Sequence, residues 1–151
     1  MVAIRRYERA DGPAVRRLHD RTFENEATDP EDIPNIDDLD RIHEEYVDSG
    51  GAFLLAETDG SLVGMGGLKV DGSTGEMFRL RVHPDHQGRG VGRKLVEALE
   101  EAARERGVET LYAETARRQT AAVSFYPALG YEQHDTDTQD EYELVTFRKD
   151  L

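Results

Sequence analysis

A glycine-rich segment, Gln87-Gly88-Arg89-Gly90-Val91-Gly92, has the residue types and spacing that point most clearly to chemistry. Its three glycines alternate with other residues, so the backbone can approach a ligand closely and adopt positive φ values. An amphipathic helix is predicted to begin within it. The free N–H groups and the positive dipole end of a helix N-terminus attract anions. The segment therefore predicts an anion site suited to a pyrophosphate.

Two common phosphate-binding motifs do not describe this segment. A P-loop needs lysine and then serine or threonine directly after its second glycine, whereas Lys94 follows Arg93 and precedes Leu95. A dinucleotide-binding fingerprint needs glycine at position 93 and opens the first βαβ unit of a chain. Taken alone, the segment leaves a glycine-rich turn without a ligand as the alternative.

The periodicity of the chain predicts alternating strands and helices in one domain over residues 1–151. Predicted strands cover 2–7, 52–56, 62–70, 76–82, 108–115, 131–134 and 142–147. One predicted helix starts after a cap at Asp11, and three further helices cover 36–48, 90–106 and 120–129. This order, β-α-α-β-β-β-α-β-α-β-β, predicts an α/β (α+β) fold in which a mixed sheet has helices on both faces.

The glycine-rich segment and two neighbouring stretches resemble a known family. Gln-x-x-Gly-x-Gly after a strand ending Val82-His83-Pro84 resembles motif A of the GCN5-related N-acetyltransferases (GNAT family). The stretch 62–68 resembles the strand before motif A. Ala122-Val123-Ser124-Phe125-Tyr126, followed by Leu129-Gly130-Tyr131, resembles motif B. The resemblance covers about residues 52–134 and implies a GNAT-like, mostly antiparallel central sheet.

The resemblance also implies how acetyl-CoA would bind as a co-substrate. We expect no metal, because His83 and His86 lie on a loop without other placed ligands. The strand at 76–82 would carry a bulge and splay away from the strand at 108–115, leaving a gap for the cofactor. The pantetheine would pair with the backbone of Leu80, Arg81 and Val82. The pyrophosphate would rest on the amides of Gln87, Gly88, Arg89, Gly90, Val91 and Gly92, with charge attraction from Arg89 and Arg93. Gln119 stands where many members have asparagine at a contact to CoA.

Two side chains are the predicted catalytic pair. An alkylamine with a pKa near 10.4 must lose a proton before it attacks a thioester, so a base is needed. Glu76 matches a base position of the family, with Glu114 as the second candidate, and Tyr126 matches the tyrosine that protonates the departing thiolate. Backbone N–H groups near Val82 would hold the oxyanion. The alternatives are a solvated strand-end carboxylate for Glu76 and a core aromatic for Tyr126, whose helix is interrupted by Pro127.

These residues predict an acetyl-CoA-dependent N-acetyltransferase that acetylates a primary amine of a small molecule or peptide. A CoA-binding sensor or partner module without catalysis is the alternative, and no residue reports the size of the acyl group. Members of the family often form homodimers through C-terminal strands, so a homodimer is a further expectation.

The amino-acid composition of the chain is very acidic. The 151 residues include 32 acids, 19 bases and no cysteine, for a formal charge of −13. This charge argues against a nucleic-acid surface, and no apolar run is long enough for a membrane helix. These observations, together with an N-terminus that lacks a signal-peptide pattern, predict a cytoplasmic protein. Scarce lysine and abundant acid suggest a halophilic one, since molar salt screens self-repulsion.

Charge is distributed unevenly along this acidic chain. The stretch 24–48 holds eleven acids against Arg41 alone, which suggests either a cationic amine acceptor or a salt-adapted surface. The stretch 79–94 holds five basic residues against Asp85 alone, and is the expected place for the CoA phosphates.

Overall fold

The computed structural model describes residues 2–22, 41–116, 120–139 and 142–151. Its strands are β1 (Ala3–Arg6), β2 (Ala52–Thr58), β3 (Ser61–Asp71), β4 (Thr74–Val82), β5 (Thr110–Ala116), β6 (Glu132–Gln139) and β7 (Tyr142–Asp150). Its helices are α1 (Gly12–Thr22), α2 (Val91–Glu105) and α3 (Thr120–Ala128), together with 3₁₀ turns at Arg9–Asp11 and Pro84–His86 and a π-helical turn at His43–Val47.

The strands form one seven-stranded sheet in the order β1-β2-β3-β4-β5-β7-β6. Every neighbouring pair is antiparallel except β4 and β5, which run parallel because α2 carries the chain across the sheet between them. The predicted mixed, mostly antiparallel sheet is therefore confirmed.

Two apolar clusters cover the two faces of this sheet. On one face, α2 buries Val91, Leu95, Val96 and Leu99, whose helical spacing places them on one side, against Leu68, Met77 and Leu111 of the sheet and other core residues. On the other face, α1 and the π-helical turn contribute Val15, Leu18 and Tyr46 to a cluster with Phe53, Leu55 and Met65. Burying one such side chain stabilises the fold by about 1.5–3 kcal/mol.

A glycine allows the π-helical turn to lie directly on the sheet. A Cβ added at Gly67 in β3 would lie 2.5 Å from a ring carbon of Tyr46 and 3.0 Å from one of Phe53. Tyr46 and Phe53 meet edge to face with ring centroids 5.0 Å apart. Glycine at position 67 is thus required by close approach.

The structure corrects three local predictions. Asp11 does not cap α1, because it ends the preceding 3₁₀ turn and its carboxylate accepts from the Glu8 N–H and pairs with Arg5, both at 2.8 Å. Within the described part of 36–48, the helix is the short π-helical turn, and 36–40 lie outside the described residues. The polar stretch after residue 134, predicted as a connection, continues β6 to Gln139. This strand lies at the edge of the sheet and pairs with β7 over its whole length.

Candidate functional site

A fork between β4 and β5 is the central feature of the site. The two strands pair from Thr74 opposite Thr110 to Met77 opposite Ala113, and the pairing stops there. Against β3, Gly67 lies opposite Phe78 and Met65 opposite Arg81, so β4 holds one extra residue. Arg79 sits in this bulge with φ +56°. A bulge bends its strand, which is why β4 diverges from β5 beyond Met77.

Backbone groups of β4 face into the fork. The His83 N–H donates to the Val63 carbonyl of β3 at 2.7 Å. Since successive residues direct their polar groups to opposite edges of a strand, Leu80 and Val82 present theirs to the gap. The Leu80 carbonyl accepts from Arg81 Nη1 at 3.1 Å, and the Val82 carbonyl accepts from Gln87 Nε2 at 3.2 Å. A strand-like ligand in the fork would meet these two residues.

The glycine-rich loop leads from this fork into α2. Gly88 has φ +77° and Gly90 has φ +83°, and a Cβ added at either would meet nothing within 4 Å. The first helical hydrogen bond runs from the Lys94 N–H to the Gly90 carbonyl at 3.1 Å, so the N–H groups of the three residues between them begin the helix without an intrahelical partner. The loop thus has the open space, donors and dipole that a pyrophosphate requires.

Tyr126 is held in α3 by three aromatic rings. Its ring centroid lies 5.3 Å from that of Phe125, 5.6 Å from that of Tyr131 and 5.4 Å from that of Phe147. The side chain is only 5% exposed. Burial raises the pKa of Tyr126 to about 12, against a lowering effect of the Arg81 charge from β4. Its hydroxyl therefore stays protonated at neutral pH.

A buried charged network braces this aromatic cluster. The Tyr131 hydroxyl donates to Glu100 Oε2 of α2 at 2.8 Å, and Lys149 Nζ of β7 lies 2.9 Å from the same oxygen. Lys149 also donates to the Leu129 carbonyl at the end of α3, at 3.0 Å. Burial and the bond to Glu100 raise the pKa of Tyr131. The network ties α2, α3 and β7 together behind Tyr126.

Glu76 lies on the opposite face of the sheet from Tyr126. It shares a face with Phe78, which packs on the α1 side, while Met77 between them packs on the α2 side. Glu76 pairs in register with Tyr112 of β5, and Glu114 follows two residues later on the same face. Burial raises the pKa of Glu76 above its usual value, the charge of Glu114 raises it further, and the Lys69 charge lowers it.

A cleft of about 320 Å³ opens beside Glu76 on this face. Lys69, Phe78, Tyr112 and Thr146 also line it, with Val70, Asp71, Thr74 and Gly75 toward the β3–β4 turn. The sequence reasoning missed Lys69 and Tyr112. Lys69 could have been found from the predicted hairpin between β3 and β4, because the register of that hairpin places Lys69 opposite Glu76.

The remaining predicted positions add little to this geometry. Gln119 lies outside the described residues. Arg89 and Arg93 are exposed near the start of α2, and Arg93 pairs with Glu97 at 3.1 Å. Among the side chains that the structure describes, no three potential metal ligands come together. No helix in the described ranges is long and apolar enough to cross a membrane.

Comparisons with known proteins agree with this geometry. The family model described as Acetyltransferase (GNAT) family matches residues 13–131. An acetyltransferase of Yersinia pestis is 40% identical over 86 residues, which are 56% of this chain and 60% of that protein. A mycothiol acetyltransferase of Saccharopolyspora erythraea is 33% identical over 133 residues, which are 85% of this chain and 43% of that protein. The chain thus spans about half the length of these curated relatives.

Solved structures share the whole architecture. A GNAT-family acetyltransferase of Staphylococcus aureus superposes with a TM-score of 0.88 at 20% identity, covering 99% of both chains. A structure from Salmonella typhimurium that contains its cofactor acetyl-CoA has a TM-score of 0.80 at 23% identity, covering 99% of this chain and 94% of that one. At this level of identity they show the fold. The family match over residues 13–131 shows that the chain belongs to the GNAT family of acetyltransferases.

Proposed function

We propose that this protein is an acetyl-CoA-dependent N-acetyltransferase that transfers the acetyl group to a primary amine of a small molecule or peptide by direct attack. The observation that carries the proposal is the fork between β4 and β5. It has a donor-rich glycine loop at one end, Tyr126 packed on one face and Glu76 on the other.

The residues at the fork fit acetyl-CoA. Open space above Gly88 and Gly90, with N–H groups at the start of α2, suits the pyrophosphate. Gap-facing backbone groups of Leu80 and Val82 suit the amide-bearing pantetheine arm. Bound acetyl-CoA would supply a thioester whose carbonyl carbon accepts the amine nitrogen.

Glu76 is the proposed general base. The amine nitrogen forms its bond to the acetyl carbon, the carbon–sulfur bond breaks, and Glu76 takes the proton that the amine gives up. A carboxylate whose pKa is raised toward neutrality is a better base than an ordinary one, and Glu76 is shifted in that direction.

Tyr126 is the proposed hydrogen-bond donor to the leaving sulfur. The pKa of Tyr126 is about 12, whereas that of an ordinary thiol is about 8.5, so full transfer of the tyrosine proton to the thiolate would cost about 5 kcal/mol. A hydrogen bond from the hydroxyl stabilises the developing charge without that transfer. The support for this role is the rigid aromatic setting of Tyr126 and its position near Arg81.

Thiol release from acetyl-CoA tests this function. Purified protein is incubated with acetyl-CoA and a panel of primary amines in both 0.1 M and multimolar salt. We expect amine-dependent thiol release with one acetylated amine formed per thiol. Tight acetyl-CoA binding without turnover of any amine would instead identify a CoA-binding sensor or partner module. Faster thiol release from another acyl-CoA would show that acetyl-CoA is not the preferred acyl donor.

A further inference from the structure

The cleft beside Glu76 has a cation on its β3 side, Lys69, and a carboxylate on its β4 side, Glu76. Lys69 of β3 and Glu76 of β4 are register partners, so their Cα atoms are about 5 Å apart. Glu114 lies further toward the open end of the fork, on the strand beyond Glu76. The carboxylates therefore lie nearest the reacting position, and the Lys69 ammonium lies on the side away from it.

Lys69 shares its nearest carboxylate with a second cation. Lys69 Nζ is 3.6 Å from Glu45 Oε2, while Arg41 Nη2 donates to the other oxygen of the same carboxylate at 3.0 Å. Among the described residues, these two cations thus share the carboxylate of Glu45, so Lys69 does not have that anion to itself. The Lys69 ammonium is also held 5.1 Å from the ring centroids of both Tyr46 and Phe78. These contacts fix the position of the cation at the cleft wall.

The β4 side of the cleft is built for an amine. Glu76 is half-buried and lines the cleft, and the charge of the exposed Glu114 acts on it from β5. Tyr112 of β5 and Thr146 of β7 add polar groups to the floor, and Phe78 adds an apolar wall. Asp71 reaches the cleft only from the exposed β3–β4 turn.

We propose that the acceptor carries a carboxylate, or a similar small anion, in addition to its primary amine, and that Lys69 recognises this anion. The amine would lie by Glu76 and the anion by Lys69, which suits a small ω-amino acid or a short peptide with an acidic group near its N-terminus. The same cation would disfavour a polyamine, whose second ammonium would lie against Lys69. This inference rests on the proposed function, because it assigns the acceptor of that same site.

Three five-carbon amines with different distal groups test it: 5-aminopentanoate, pentylamine and 1,5-diaminopentane. They differ at the far end by a carboxylate, a methyl group or a second ammonium. Their kcat/KM values are measured by thiol release, and their affinities by titration calorimetry in the presence of CoA. We expect 5-aminopentanoate to exceed pentylamine by about tenfold, the lower end for a hydrogen bond to a charged group, because Lys69 is partly exposed. The diamine should be the poorest acceptor.

Variants of the cleft decide whether Lys69 is the cause. Lys69→Met should remove the preference for the carboxylate, with a larger change in KM and affinity than in kcat. Because the Lys69 charge also lowers the pKa of Glu76, kcat is compared above the acid limb of the pH profile. Lys69→Arg should restore it, because arginine keeps the cation and its contact with the rings. Asp71→Asn, on the rim of the same cleft, should retain it.

The inference and the proposed function fail in different ways. If wild-type protein acetylates the three amines equally, or if Lys69→Met keeps the preference, the inference is wrong and the acetyltransferase stands. If no amine is acetylated, the calorimetric affinities still test the inference: tighter binding of 5-aminopentanoate, lost in Lys69→Met, supports it, and equal affinities overturn it.

Discussion

Replacing Lys149 by methionine would remove the cation from the buried network behind Tyr126. Glu100 is 5% exposed, and both the Tyr131 hydroxyl and the Lys149 ammonium bind its Oε2 atom. Without Lys149, the carboxylate would keep only the Tyr131 hydroxyl among the partners that the structure describes, and the Leu129 carbonyl would lose its donor. An uncompensated charge would remain between α2 and β7.

The structure sets the size of the loss. Removing one partner of a buried ion pair costs about 3–5 kcal/mol. The Lys149 side chain is 26% exposed, so water can reach the site, and we expect about 3 kcal/mol. Replacing Glu100 by methionine as well removes the stranded charge and leaves mainly the Tyr131 hydroxyl unsatisfied, at about 1–3 kcal/mol. The double variant should therefore be no less stable than Lys149→Met alone.

Urea unfolding of the single and double variants measures this coupling, since small domains usually unfold in one cooperative step. Arg148→Met is the control, because its pairing with Asp150 on the surface of β7, at 3.2 Å, is worth at most about 1 kcal/mol. Strong non-additivity between Lys149→Met and Glu100→Met is the expected result. If the two losses simply add, or if Lys149→Met costs no more than Arg148→Met, the network does not brace the fold.

Three further predictions concern the site and the charge. Tyr126→Phe keeps the ring contacts, so stability should change by less than about 1 kcal/mol while kcat falls about a hundredfold, and full kcat would remove its role. Gly90→Ala and Gly60→Ala, which both replace a glycine of similar positive φ in open space, should each lower the free energy of unfolding by about 1–2 kcal/mol, but only Gly90→Ala should weaken acetyl-CoA binding. Calorimetry measures the two affinities, and equal affinities would place the pyrophosphate elsewhere. If the acid excess is a salt adaptation, raising salt from 0.1 M to several molar should stabilise the protein by at least about 1 kcal/mol, or about 3 °C in Tm, and equal stability would contradict it.

The sequence predicts the fold well where one local signal dominates. The stripe of Val91, Leu95 and Leu99 predicts α2 and the face that it buries, and the glycine-flanked hairpin predicts β2 and β3. The predictions were wrong where tertiary contact decides the local structure. The π-helical turn at Tyr46 depends on space above Gly67, and the polar half of β6 is a strand only because β7 pairs with it.

The candidate site divides in the same way. The family motifs predict the glycine loop and the positions of Tyr126 and Glu76, because those features are encoded by adjacent residues. The Lys69 cleft and the Glu100–Lys149 pair were not predicted, since their members are distant in sequence or become neighbours only through strand register. The divergence of β4 from β5 was an expectation of the resemblance, and the bulge at Arg79 gives it a physical cause.

The role of Glu76 as the general base is tested most directly by comparing Glu76→Gln with Glu114→Gln in amine-dependent thiol release across pH. Glu76 must be ionised to act, so activity should fall as pH drops through its raised pKa. Glu76→Gln should lower kcat at least a hundredfold while acetyl-CoA affinity is unchanged. Glu114→Gln removes a charge that raises the pKa of Glu76, so it should keep kcat near neutral pH and move the acid limb to lower pH. Full kcat in Glu76→Gln, or its loss in Glu114→Gln instead, would contradict the assignment of Glu76 as the base.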